Sequence, residues 1–301
     1  MSAKRVIGVD LGGTKILAGA VDGEGRMLEQ REVPTPKSSQ DELLDAIAAA
    51  IEPLASEGLE ALGFGIPSIL DRRAGRVLAS NNIPLADVAL GQVMSDRFEV
   101  PVAVENDGNV AALAESKLGA GRGADNVVVL TLGTGVGGGV VLDGSLFRGW
   151  AELGHVVVVA DGAPCQGICT GRGHLEVLAS GNAADIVAAR LWGEGADAEL
   201  LVERARAGAG DALEGLAGIG RLLGAAIGSF ANIFGAELVV VGGGFGEAAG
   251  DLLFPAAVEV ARRETFEPLS SQLRVVPAQL GSDAGLIGAG LLALEALDSE
   301  T

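Results

Sequence analysis

Histidine and cysteine are nearly missing from this 301-residue chain: there are two of each, and all four lie between positions 155 and 174. That confines soft-metal chemistry to one segment. Basic residues are scarce too, 21 Lys and Arg against 40 Asp and Glu, for a net charge of −19 with only four lysines. A chain without a basic face is not built for non-specific binding to nucleic acid or to anionic membranes. Any phosphate ligand must draw much of its positive potential from backbone N–H groups and a metal ion. Long apolar runs are also lacking, although the mean hydropathy is +0.40. The stretch Ala284 to Leu294 stops at Glu295 and is too short to cross a bilayer. The apolar run behind Lys4 and Arg5 breaks at Asp10, too soon for a signal peptide. The expectation is a cytoplasmic protein of two domains with separate cores, without low-complexity tails or heptad runs.

The segment that holds the rare residues runs from His155 through Cys165 and Cys169 to His174, flanked by Glu152 and Glu176. Two imidazoles and two thiolates satisfy tetrahedral Zn²⁺ and leave no open position for catalysis. A local disulfide would explain the cysteines but neither histidine, so a structural zinc site is favoured. A loop folded on one ion would aim Glu152 and Glu176 at a substrate. As the bland alternative, both are surface charges on that loop.

Three strand-then-glycine units organise the chain. Arg5 to Val21 reads as strand, glycine bend (Gly12-Gly13-Thr14) and strand; Asn126 to Leu142 repeats the design around Gly133 to Gly139. Leu238 to Gly244 opens instead into a helical pattern over about Glu247 to Arg263. Two such hairpins predict a duplicated architecture whose halves close on a polyphosphate. Helices are expected over Asp41–Ser56, Asp107–Leu118, Asp211–Phe234 and Ala284–Leu297, and strands over Leu62–Ile66 and Val100–Val104. The glycines at 119–123 suggest a boundary, giving a first domain over 1–118, completed by the helix 284–301, and a second over 119–283. Trp150 and Trp192 read as packing residues, and Arg148 as a solvated loop charge.

Glycine bends expose several N–H groups in one concavity, a site for phosphate oxygens. Thr14 adds a hydroxyl, and Asp10 at the strand end suits Mg²⁺. Lys15 is followed by a strand, so this is neither a P-loop nor a dinucleotide fingerprint. Asp107, in Glu105-Asn106-Asp107-Gly108-Asn109, sits where strand ends face ligands. It has two readings, acceptor of a hydroxyl proton or cap of the following helix, and local sequence favours the cap.

The ordered set Asp10-Leu-Gly-Gly-Thr-Lys15, Gly65-Ile-Pro67, Asn82-Ile-Pro84, Glu105 to Asn109, Leu132 to Gly139, Glu152-Leu-Gly-His155, the metal loop and Val241 to Gly244 resembles the ROK sugar kinases, most closely their bacterial glucokinase branch. The resemblance spans nearly the whole chain. It implies an α/β, actin-like (ribonuclease H-like) two-domain fold with sugar and ATP in an interdomain cleft, and transfer from Mg²⁺-bound ATP to a hexose 6-hydroxyl. By the same resemblance Asp107 is the catalytic base, Asn82 and Asn106 hold sugar hydroxyls, and Glu152, His155 and Glu176 grip the reducing end. Asp10, Gly12, Gly13, Thr14 and Lys15 form the first phosphate motif; Gly133, Thr134, Gly135 and Gly137 the second; Gly242 and Gly243 the adenosine contact. His155, Cys165, Cys169 and His174 are the zinc ligands, and family habit implies a homodimer or homotetramer.

Three departures stand out: His174 replaces a third cysteine in a widened Cys-x-x-x-Cys loop, Ser68 replaces the glycine after Ile-Pro, and Trp150-Ala151 leads into Glu152. N-acetylmannosamine, N-acetylglucosamine, fructose or allose could replace glucose, and polyphosphate could replace ATP. A silent sugar sensor is disfavoured by the intact Asp10, Asp107 and both hairpins. A DNA-binding repressor of the family is disfavoured by the charge and by Asp10 lying so near the start.

Overall fold

The computed structural model describes residues 5–55, 58–80, 82–167 and 169–299. In chain order the elements are β1 (Arg5–Leu11), β2 (Lys15–Asp22), β3 (Met27–Pro34), α1 (Gln40–Ile51), β4 (Ala61–Ile66), β5 (Ser68–Asp71), β6 (Arg76–Ser80), α2 (Leu90–Phe98), β7 (Val102–Asn106) and α3 (Asp107–Leu118). There follow β8 (Val127–Leu132), β9 (Val136–Leu142), β10 (Ser145–Leu146), α4 (Gly181–Trp192), α5 (Ala198–Arg206), α6 (Gly210–Phe234), β11 (Leu238–Gly242), α7 (Gly244–Glu264), α8 (Leu269–Gln272), β12 (Arg274–Pro277) and α9 (Ala284–Ser299). The chain divides into two compact units, Met1–Ala114 with Ser282–Thr301, and Glu115–Gly281.

The first unit is built on a five-stranded sheet of order β3-β2-β1-β4-β7, the second on one of order β10-β9-β8-β11-β12. In each, an antiparallel meander is extended by two parallel strands: β1 pairs with β4 and β4 with β7, as β8 pairs with β11 and β11 with β12. The duplicated design predicted from the glycine hairpins is therefore present, since β1–β2 and β8–β9 are both antiparallel hairpins closed by glycine turns.

In the first unit β1 alternates its two faces with period 2. Ile7, Val9 and Leu11 pack with Leu43, Ile47 and Ile51 of α1, while Val6 joins Ala293 of α9 on the other side. Helix α9 lies directly on the strands, because a Cβ at Gly63 would occupy the space of the Ala289 carbonyl. Only glycine permits that approach. Parallel register sets Asp10, Gly65 and Glu105 side by side across β1, β4 and β7.

Three details depart from the sequence reading. Helix α1 ends at Ile51 rather than Ser56: Pro53 cannot continue the ladder, and Leu54 N turns back to Ile51 O at 2.9 Å. Ser56 lies outside the described residues. Strand β7 runs over Val102–Asn106 rather than Val100–Val104, because parallel pairing carries on to Ile66 and Asn106. The polar Glu105-Asn106 is thus sheet, and α3 begins at once with Asp107. Finally, α6 is by length and composition apolar enough to cross a membrane, although no run of that kind was expected. It carries Leu216, Leu223, Ile227 and Phe230 into the core of the second unit.

Candidate active site and metal centre

In the first unit, the turn after β1 is closed by Gly12 N donating to Lys15 O at 2.9 Å. Thr35 braces it, its N–H on Thr14 O at 3.0 Å and its hydroxyl on Gly12 O at 2.8 Å. Asn82 lies against the same turn, its Cβ 3.4 Å from where a Cβ at Gly13 would stand, and Lys37 Nζ donates to its carbonyl at 3.2 Å. Lys15 Nζ is ion-paired with Glu32 of β3 at 3.1 Å.

Asp10, at the carboxyl end of β1, has its carboxyl pKa pushed up from 3.8 to about 6. Burial is the first cause and the charge of Asp107 the second; Lys15 opposes them. A carboxylate raised by its neighbour marks a place that favours a cation. Gly285, in the first turn of α9, backs Asp10, for a Cβ there would stand 2.7 Å from Asp10 Oδ2.

The two readings of Asp107 are not exclusive. Its Oδ1 takes Gly108 N at 2.9 Å, and Asn106 Oδ1 takes the same N–H at 2.9 Å. The helix start is thus capped by both residues, while the Asp107 charge still acts on Asp10. Behind them Glu105 is fully buried and ion-paired with Arg72 at 2.5 Å. Sequence reasoning passed over Arg72 and Thr35, since neither belongs to a glycine or Asn/Asp motif.

In the second unit, His155, Cys165, Cys169 and His174 converge, their ligand atoms all within 4.8 Å of one another. Both cysteines are free thiols, so the local disulfide is not formed. The two Nδ1 atoms are 3.3 Å apart, Cys165 Sγ is 3.7 Å from His155 Nδ1, and Cys169 Sγ is 3.6 Å from His174 Nδ1. With Zn–N near 2.05 Å and Zn–S near 2.3 Å, tetrahedral edges are roughly 3.4 Å for N···N and 3.6 Å for N···S. The donor set and its spacing both fit zinc. The loop is self-braced, Cys165 N on Gly171 O at 2.9 Å and Gly173 N on Ala163 O at 2.8 Å. Burial, then neighbouring Cys169, raises the Cys165 thiol above its usual value, a shift that a bound cation reverses.

His155 turns Nδ1 to this cluster, which leaves Nε2 for another partner. Glu152 opens the single turn Leu153–His155 and is exposed. Glu176 lies in the turn Leu175–Val177, and its Oε2 accepts Val136 N at 3.2 Å, against the second glycine hairpin. A Cβ at Gly135 would collide with that carboxylate. Trp150, expected to pack, is 68% exposed. Trp192 does pack, beneath Arg204 and with its Nε1 on Asp211 at 3.0 Å.

The second hairpin opens on a pocket of about 600 Å³, lined by Gly133 and Thr134 together with Asn182, Asp185, Glu199 and Phe245. Its volume is that of a small-molecule site. Gly242 and Gly243 are not in its wall. Gly243 has φ +82° and lies on the Leu132 backbone, so it bends the chain and lets Gly244 and Phe245 reach the pocket. The α4 and α5 lining residues were invisible in the sequence because no short motif joins them to the glycines.

The ROK family sequence profile matches residues 6–296. The chain belongs to the ROK family. It is 36% identical to a glucokinase of Streptomyces coelicolor, over 96% of this chain and 97% of that one. The crystal structure of a ROK hexokinase from Thermus thermophilus superposes with a TM-score of 0.88 at 36% identity, covering 98% and 99% of the two chains. A ROK glucokinase from Streptomyces griseus, solved with glucose and AMPPNP, superposes with a TM-score of 0.79 at 38% identity, covering 97% and 99%. The expected actin-like fold is therefore the fold of this ROK protein.

Proposed function

We propose that the protein transfers the γ-phosphoryl group of ATP to the 6-hydroxyl of a hexose, with glucose as the preferred acceptor. The observation that carries the reading is the coupled pair Asp10 and Asp107 at the carboxyl ends of β1 and β7, beside a braced glycine turn. It is supported by the glucokinase relatives and by the glucose and AMPPNP held in the Streptomyces griseus enzyme.

Asp107 takes the proton of the 6-hydroxyl as that oxygen attacks the γ-phosphorus and the bond to ADP breaks. An aspartate contributes here mainly by orienting the nucleophile, worth more than its basicity in a loose transition state. Asn82 and Asn106 hold sugar hydroxyls, joined by Glu152, His155 through Nε2, and Glu176. The turns at Gly12, Gly13, Thr14 and at Gly133, Thr134, Gly135, Gly137 present N–H groups to the phosphates. The hard carboxylate Asp10 would hold Mg²⁺, directly or through water, which would neutralise phosphate charge when bound. The pocket between Thr134 and Phe245 takes the adenosine. His155, Cys165, Cys169 and His174 would hold a structural Zn²⁺, which would fix the His155 ring and the spacing of Glu152 and Glu176. A cytoplasmic homodimer or homotetramer completes the proposal.

The test is Mg·ATP-dependent ADP release over glucose, N-acetylmannosamine, N-acetylglucosamine, fructose and allose. A dominant glucose signal is expected. Turnover of another sugar replaces the acceptor and keeps the mechanism; no turnover with ATP or polyphosphate refutes the kinase reading.

A further inference from the structure

Glu105 stands at the last-but-one position of β7 and is fully buried. An ionised carboxylate survives there only if a cation and donors satisfy it. Its Oε1 takes three donors: Arg72 Nε at 2.5 Å, the Asn106 N–H at 2.8 Å and Asn109 Nδ2 at 3.0 Å. Oε2 is buried without a hydrogen-bond partner among the described residues, as is Asn109 Oδ1. A buried carboxylate can spread its donors over two oxygens. This one concentrates them on the oxygen that meets the Asn106 peptide.

The donors come from the β5–β6 hairpin, from the end of β7 and from the first turn of α3 that follows it directly. Asn106 is the end of the strand, Asn109 the first turn of α3, and Arg72 the residue after β5. Asn106 is then held on both sides, its N–H by Glu105 and its Oδ1 by Gly108 N at 2.9 Å. Asp107 lies between those two clamped positions, Asn106 and Gly108. Arg72 belongs to the β5–β6 hairpin, whose second strand ends at Ser80, two residues before Asn82. One part-buried ion pair thus ties the hairpin leading to Asn82 to the strand that ends at Asn106, next to Asp107.

The geometry points to Glu105, with Arg72 as its partner, as a positioning residue for phosphoryl transfer: it fixes the peptide from which Asp107 projects. The inference rests on the sugar-kinase reading above. The part of Glu105 is to keep the base within the narrow range of angles that transfer needs.

The test compares wild type with Glu105→Gln, Arg72→Lys, Arg72→Met and the double variant Glu105→Gln/Arg72→Met, reading kcat, sugar KM and melting temperature. Glu105→Gln is expected to lower kcat about 10- to 100-fold while sugar KM stays within about threefold. Arg72→Met should do the same, Arg72→Lys should recover most of the loss, and the double variant should be no worse than the worse single one. A lowered melting temperature with full kcat overturns the inference, because that is a structural role alone. A raised sugar KM with kcat intact overturns it as well. If Glu105→Gln does not fold, Arg72→Met against Arg72→Lys decides by the same criteria. Wild type inactive on every sugar refutes the kinase reading and this inference together; wild type active beside a fully active Glu105→Gln refutes only the inference.

Discussion

Asp10→Asn should make the free protein more stable and the enzyme nearly inactive. Asp10 titrates near 6 in the folded chain against 3.8 as its ordinary value. A raised carboxyl pKa means the folded state binds the proton more tightly than the unfolded one. The stability it contributes is therefore complete below pH 3.8 and lost as pH rises through 6. At pH 8 the ionised carboxylate costs the native state at most about 3 kcal/mol at 1.36 kcal/mol per pKa unit, and about 1–3 kcal/mol once partial solvent screening is allowed for. Asparagine does not ionise, so the variant should gain that amount at pH 8 and only a small part of it at pH 4, just above 3.8. At about 2–4 °C per kcal/mol the melting temperature should rise by several degrees at pH 8. Mg²⁺ should stabilise wild type and not the variant, and wild-type kcat/KM for Mg·ATP should fall as pH drops through about 6. The assay is thermal melting at pH 4, 6 and 8, with and without Mg²⁺, beside the ADP-release rate. An Asp10→Asn protein no more stable than wild type at pH 8, or equally stabilised at pH 4 and 8, refutes the reasoning.

Asp107→Asn keeps the cap on Gly108 and removes the proton acceptor, so kcat should fall by about 10²–10⁴ while sugar affinity by calorimetry stays nearly constant; parallel loss of binding in a folded protein would remove Asp107 from the base role. Gly135→Ala drives a methyl into the Glu176 carboxylate. Because the far end of a side chain can swing away, the melting temperature should hardly change, but the Val136–Glu176 bond is lost and sugar KM should rise about tenfold, roughly the value of one hydrogen bond to a charged group. An unchanged KM would separate Glu176 from the sugar. The purified protein should hold one zinc per chain by elemental analysis, and chelation should weaken sugar binding more than ATP binding. The opposite order would mean that the loop does not shape the sugar site.

What the sequence determined is whatever short-range chemistry writes into contiguous residues. The glycine hairpins at Gly12 and Gly133, the helices starting at Asp107 and ending at Phe234, and the crowding of every histidine and cysteine between 155 and 174 were legible because turn geometry and ligand chemistry need those residue types at those spacings. The tertiary structure decided what pairs across distance. Parallel register, not local propensity, carried β7 through the polar Glu105-Asn106 and set Asp10, Gly65 and Glu105 in one row. Burial and the charge of Asp107 made Asp10 a weak acid. The Arg72–Glu105 ion pair joins residues 33 apart, and the pocket draws Asn182, Asp185, Glu199 and Phe245 from three helices. No local pattern encodes such meetings, because the energy that selects them is released only when the sheets and helices have packed.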